Sequence, residues 1–394
     1  MKRRRVPLRI TLACVLVCLL PAVLCAGPDL PDTFKKYETS YYIIYTDLPI
    51  DQVREAAMRM TCMAEEYHDR TKGFSGTIRR KFPFFLFSKR EDYHRAGGVP
   101  GSAGVYMYGR ALMAIAKGSF TWHVVQHEGF HQFVHMVIRG NIPIWVNEGL
   151  AEYFGNGIWT GDGLVTGVAP GGRIARVQGH IKKGKILPML EMLTMTHKEW
   201  NSQLAIRNYD QAWSMVHFLV HAEDGKYREA FGKFINDISR GRNWEKSYVR
   251  RFGRDTKAFE KKYSQWWLAR DKNESADLYT RAVVETLTSY LARAQVMDRK
   301  YDNAEEFFRS IDAGKVQVDP KKHLKLWLPN SLGKKAVKQA KGKGEWKLVM
   351  PEKGFPKITL TRKDGTVFEG SFSLPRSRRP KVEVAISKPE QEKE

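Results

Sequence analysis

Cysteine is almost missing from the bulk of this chain. Of four in 394 residues, Cys14, Cys18 and Cys25 fall within the first 26, and only Cys62 lies beyond them. A lone cysteine cannot close an intramolecular disulfide, so stability must come from an apolar core, to which a bound metal can add. Acidic residues are also in short supply: 43 Asp and Glu face 66 Lys and Arg, for a formal net charge of +23. The apolar run near the start, Ile10 to Leu24, is broken by Pro21 and falls short of the ~20 residues that cross a bilayer. A hydrophobic content of 42%, with 12% aromatics, excludes wholesale disorder and is ample for two or three domains.

The N-terminus has the layout of an export signal. Lys2, Arg3, Arg4 and Arg5 precede the apolar run and Ala26 offers a small residue for cleavage, so residues 1–26 are read as a signal peptide. This implies export to the periplasm, the cell envelope or the medium, with an uncleaved anchor as the alternative. Lipidation at Cys25 fits poorly, because bulky Leu24 precedes it. The remaining charge is uneven. Residues 321–394 carry 19 Lys or Arg against 8 Asp or Glu, a net of +11. For an exported chain such a region suits anionic envelope polymers or lipid head groups better than nucleic acid, and a merely solvated basic tail is the bland alternative.

Residues 39–46 are aromatic and β-branched and predict a strand, a second strand is expected at 82–87, and the apolar spacing of residues 50–70 predicts a helix between them. Two short runs, 103–108 and 111–116, predict a hairpin turned at Gly109-Arg110. Helical spacing resumes from Ser119 to about Gly140 and again from Val146 to Phe154. After a Gly-rich loop (155–172), helices are expected near 187–195, 209–222, 227–238 and 257–270. Residues 274–332 predict a helical extension containing a helical pair, 333–344 a basic Lys/Gly/Ala linker, and 345–394 a small β-hairpin unit with a charged end. The expected class is α+β.

The chemistry is concentrated in His127-Glu128-Gly129-Phe130-His131, an HExxH pattern inside a segment already read as helix. Positions i and i+4 stack on one helix face, so both imidazoles can reach one zinc ion at about 2.0–2.1 Å. Glu128, beside the first histidine, is placed to reach a metal-bound water rather than the metal. Chance alone would produce HExxH in roughly two of a hundred such chains, before a helix is required. A catalytic zinc needs a third protein ligand. The metzincin continuation HExxHxxGxxH fails, because Val134 and Val137 stand where Gly and His would be. His135 reads as a surface or supporting residue.

A glutamate on the next helix is the alternative, and Trp145-Val146-Asn147-Glu148-Gly149-Leu150-Ala151-Glu152-Tyr153-Phe154 supplies one. This stretch resembles the gluzincin metallopeptidases, and is similar to poorly characterised bacterial exported proteins with an EGLAEYF-type segment. The resemblance spans residues 36–270 and implies a zincin-like catalytic domain over 27–273: a small mixed sheet, an active-site helix and a helical C-terminal lobe. It makes Glu148 the third zinc ligand after His127 and His131, and Glu152 the carboxylate that orients a ligand histidine, a tautomer-fixing role with a clear physical basis. The spacing from His131 to Glu148 is short for that family, and the reverse assignment, with Glu152 as ligand, stays open. The likeness also implies that Tyr209 donates a hydrogen bond to the tetrahedral oxyanion, against the alternative that it only packs. His180, His197 and His217 are further candidates for that role. No Gly-x-Met-Glu-Asn amine-binding segment precedes the helix.

The function these residues imply is zinc-dependent hydrolysis of a peptide or protein substrate, with Glu128 as general base. The alternatives are a non-catalytic zincin-fold protein held at the envelope, and a zinc hydrolase of non-peptide amides or esters.

Overall fold

A computed structural model describes residues 30–389 apart from 203–205, 322–323 and 377–378, with backbone alone at 119–120 and 324. The predicted signal peptide, residues 1–26, lies outside the described residues. The fold is α+β.

The first body is built on a five-stranded sheet. Strand β1 (Lys35–Glu38) pairs antiparallel with β2 (Tyr42–Thr46), whose Tyr42, Ile44 and Thr46 turn inward with the period of two that strand geometry imposes. Helix α1 (Ile50–Thr71) then crosses to β3 (Phe82–Phe87), parallel to β2. Val53, Ala56, Met60, Ala64, Tyr67 and Thr71 recur every three or four residues and form the buried side of α1. Strand β3 has parallel partners on both edges and is buried along most of its length, as such central strands are. After the short α2 (Arg90–Arg95), the expected hairpin forms from β4 (Gly104–Met107) and β5 (Ala111–Ile115). The sheet order β1-β2-β3-β5-β4 leaves β4 at an edge.

Helix α3 (Ser119–Phe133) packs on β4 and β5. It stops short of the expected end at Gly140 and widens into a π-helical turn, Val134–Ile138, a local unwinding that often marks functional helices. Arg139 and Gly140 then take positive φ. At Gly140 a β-carbon would lie 2.5 Å from the Ile238 carbonyl oxygen, so the turn needs glycine. Pro143 leads into α4 (Ile144–Gly155), which is buried on nearly every side because it is wedged between α3 and α8 (Ile206–Gly225).

Between them the Gly-rich stretch holds two short strands, β6 (Ile158–Trp159) and β7 (Leu164–Val165), and its end opens an unexpected helix, α5 (Gly171–Lys182). Helices α6 (Met189–Thr194) and α7 (His197–Ser202) lead to α8, which loses helical dihedrals at Ala222–Asp224, where the apolar pattern ends. Helices α9 (Arg228–Ser239), α10 (Trp244–Phe252) and α11 (Thr256–Leu268) complete this lobe.

The expected helical pair is α12 (Ala276–Val296) and α13 (Ala304–Asp312). Two local readings of the C-terminal region need correction. Residues 333–344, expected as a linker, belong largely to helix α14 (Asn330–Ala340), whose Gly333, Ala336, Val337 and Ala340 are buried. Lysine and alanine are good helix formers, and the three-and-four spacing of these small residues was hidden among the lysines. Residues 345–394 are more than a hairpin with a charged end. Among the described residues of this stretch, an antiparallel four-stranded sheet forms from β8 (Glu345–Val349), β9 (Lys357–Thr361), β10 (Val367–Ser373) and β11 (Lys381–Ser387). Val284, Leu287 and Leu291 of α12 share one core with Ile358, Leu360 and Phe368 of this sheet, and Met58, Cys62, Trp159 and Leu164 of the first body join the same core.

Candidate metal centre

Three side chains from two helices converge at the centre of the first body. His127 and His131 project from one side of α3, and Glu148 reaches them from α4; one donor atom from each lies within 4.8 Å of the others. The two Nε2 atoms are 3.1 Å apart, and Glu148 Oε2 is 3.4 Å from the first and 3.5 Å from the second. Among the described residues this is the one group of three acid, cysteine or histidine side chains close enough to share an ion. All three are buried, and neither carboxylate oxygen of Glu148 accepts a hydrogen bond among the described residues. A buried carboxylate without donors is costly, so a cation between these atoms fits the donor set.

The far nitrogen of each histidine also faces an acceptor. Glu152 Oε1 lies 3.2 Å from His127 Nδ1, and Asn147 Oδ1 lies 3.0 Å from His131 Nδ1. Each acceptor favours a proton on Nδ1, which leaves the Nε2 lone pairs facing one another and Glu148, as metal ligation requires. Glu152 therefore supports His127 rather than joining the triad. Position 149 explains how the helices come so close: a β-carbon there would lie 2.5 Å from the Ala212 carbonyl oxygen in α8.

Glu128 is buried beside the triad, and its Oε2 accepts a 2.9 Å hydrogen bond from the backbone N–H of Tyr106 in edge strand β4. Burial pushes its carboxyl above the ordinary range, against the pull of His127 and His131. Burial would also raise Glu148, but His131 and His127 beside it hold it down at about 2. For Glu152 the burial effect is overcome chiefly by the Arg173 guanidinium, and its carboxyl sits well below the ordinary range.

Tyr209 lies in the first turn of α8. Its ring centroid is 6.4 Å from that of His127, and Trp200 of α7 meets it edge-on at 5.0 Å. His135 is outside the triad; its Nδ1 is 2.6 Å from the Tyr106 hydroxyl and its ring stacks on Tyr108. His217 is buried further along α8, with Nε2 3.2 Å from the Gly167 carbonyl oxygen and its ring centroid 4.4 Å from that of His221. His180 lies in α5 and His197 in α7. Sequence reasoning missed Asn147, the Tyr106 amide and a charged pair behind Glu152, Arg173 with Asp210. Asn147 was within reach, since it precedes the acid of the NEGLA segment. Arg173 and Asp210 were not, since only the folded chain brings α5 and α8 to α4.

Residues 122–245 match a family described as a protein of unknown function, DUF1570. The match contains the triad, Glu128, Glu152 and Tyr209. No curated protein and no solved structure gives a significant match to the chain.

Proposed function

We propose that this chain is a zinc-dependent hydrolase of peptide bonds of the gluzincin type. The observation that carries the reading is Glu148: a fully buried carboxylate, with no hydrogen-bond donor among the described residues, faces two imidazole nitrogens whose far sides are already engaged. A zinc ion held there by His127, His131 and Glu148 would act as a Lewis acid, lowering the pKa of a bound water to about 7 and polarising a scissile carbonyl.

The protein's own groups supply the remaining steps. Glu128 takes the proton from the attacking water and passes it to the leaving amine. Its raised pKa suits that exchange, because a base poised nearer neutrality gives up the proton as readily as it accepts it. The Tyr106 N–H steadies the carboxylate oxygen it touches. The Tyr209 hydroxyl donates to the oxyanion, a contribution worth on the order of 10²–10³ in turnover where such a donor is well placed. Strand β4 is a sheet edge beside Glu128, the kind of edge along which an extended peptide pairs.

The decisive experiment is metal analysis of the purified protein together with a peptide-library digest, for wild type, Glu148→Ala, Glu152→Ala and Glu128→Gln. The reading expects one zinc per chain, lost chiefly with Glu148, and peptide cleavage that Glu128→Gln abolishes while zinc stays bound. Full activity in Glu128→Gln would overturn the mechanism. Absence of zinc from wild type after loading would favour a non-catalytic binding protein, and cleavage confined to small amides or esters would move the substrate class.

A further inference from the structure

Arg173 sits behind the candidate ligands, buried in α5, and each edge of its guanidinium is engaged. Nη1 donates to Glu152 Oε2 at 2.5 Å, the carboxylate whose other oxygen faces His127. Nη2 donates to the backbone carbonyl of Tyr209 at 3.2 Å. Nε lies 2.9 Å from Asp210 Oδ1, and Asp210 is held in turn by Arg176 at 2.7 and 2.9 Å. The flat face covers the Trp213 ring at 4.6 Å. Charges thus alternate outward from the metal side: Glu152, Arg173, Asp210, Arg176. A planar fork can meet three acceptors at once, which the single point of a lysine ammonium cannot do.

From this geometry we infer that Arg173 is a positioning residue that locks two halves of the site together. Through Glu152 it sets the orientation of His127, and through the Tyr209 carbonyl it sets where the start of α8 lies relative to the ligand histidines. Asp210 aims the guanidinium and shares in that role. The inference rests on the metal-site reading given above, yet it makes a claim of its own: α5, which supplies no ligand and no reacting group, controls how tightly the site holds its ion.

The test measures zinc affinity by competition with a chromogenic chelator, using zinc alone as the probe, for wild type, Arg173→Lys, Arg173→Met and Asp210→Asn. Arg251→Met is the control. That arginine belongs to another partly buried ion pair of the helical lobe, with Asp237 at 2.9 Å, on α9 and α10 rather than on the helices that carry the site. Arg173→Met is expected to weaken zinc binding by about 10–100-fold, the usual cost of losing a supporting partner. Arg173→Lys, which keeps the charge near Glu152 and loses the fork, should fall between Arg173→Met and wild type. Arg251→Met should lower the unfolding midpoint and leave zinc affinity unchanged. If Arg173→Met does not fold, Arg173→Lys and Asp210→Asn decide the matter. Wild-type zinc affinity in the folded variants would overturn the inference while leaving the metal site standing, and so would an equal loss in Arg251→Met. Absence of zinc binding in wild type would instead overturn the metal reading on which it rests.

Discussion

Two pairs of histidines, each spaced four residues apart on a helix, lie in this protein and have opposite surroundings; all are buried except His221, which is half-buried. His127 and His131 on α3 face Glu148 and Glu152. His217 and His221 on α8 face the Gly167 carbonyl and the Tyr153 hydroxyl, with Arg173, Arg270, Arg228 and Arg70 as the charges around them. Burial lowers all four, but around the first pair the carboxylates reverse the effect and hold both histidines above their ordinary value. Around the second pair nothing reverses it, and His221 is drawn down to about 4. The i, i+4 spacing is thus only the opening condition for a metal site. The acid that closes the triangle, and the acceptors that fix each tautomer, make the difference.

The sharpest way to break this comparison is to remove one histidine from each pair. On the proposed reading His131→Ala removes a ligand itself, and it should cost more than the about 10–100-fold in zinc affinity expected for losing a supporting residue. His221→Ala should leave zinc affinity unchanged and lower only the unfolding midpoint. Equal weakening by the two variants, measured by chelator competition, would mean that α8 takes part in ligation. A related expectation concerns stability: zinc at about a hundred times its dissociation constant should stabilise wild type by about 2.7 kcal/mol and Glu148→Ala by almost nothing.

A smaller effect sharpens the same contrast, because α4 and α8 touch through Gly149. The added methyl of Gly149→Ala would lie 2.5 Å from the Ala212 carbonyl oxygen and 2.6 Å from Val216 Cγ2, so one helix must move. Overpacking of this kind costs about 1–3 kcal/mol. The shift should also separate Tyr209 from the ligands, lowering turnover further than zinc occupancy. A thermal melt and a turnover assay on the same preparation check both parts, and unchanged stability would show that the helices are less closely set than this contact implies.

Much of the site was legible along the chain because its parts are local. HExxH needs only one helix turn, and Asn147, Glu148 and Glu152 need only one more helix on the other side of a short connection. Their arrangement follows from helical geometry once α3 and α4 pack. The strands at 82–87 and 103–116 were legible for the same reason, since short apolar runs and turn residues are short-range signals. Arg173 was not, because its partners Glu152 and Asp210 sit on two other helices, and paired glycines at the start of α5 weaken its helical signal. The α14 segment was misread because lysine is common both in linkers and on the solvent face of helices. Strand β11 was misread because charges obscured the alternation Val382, Val384, Ile386.

The two histidine pairs should also give stability a pH dependence of opposite sign in the metal-free protein. His217 and His221 have folded values below the unfolded one of about 6.5, so the unfolded chain binds more protons. Their contribution is fully present above pH 6.5 and is lost as pH falls toward the His221 value of about 4. His127 and His131 are raised, so theirs is present below the unfolded value and is lost as pH rises through the folded one. His221→Phe isolates one arm, because it keeps a ring against Tyr153 and removes a titrating group. Between pH 7 and 5.5 the wild type should lose about 1 kcal/mol more than this variant, read from urea unfolding at each pH with metal removed. If both proteins lose the same amount, His221 titrates in the fold as it does in the unfolded chain, and burial does not set the second pair apart.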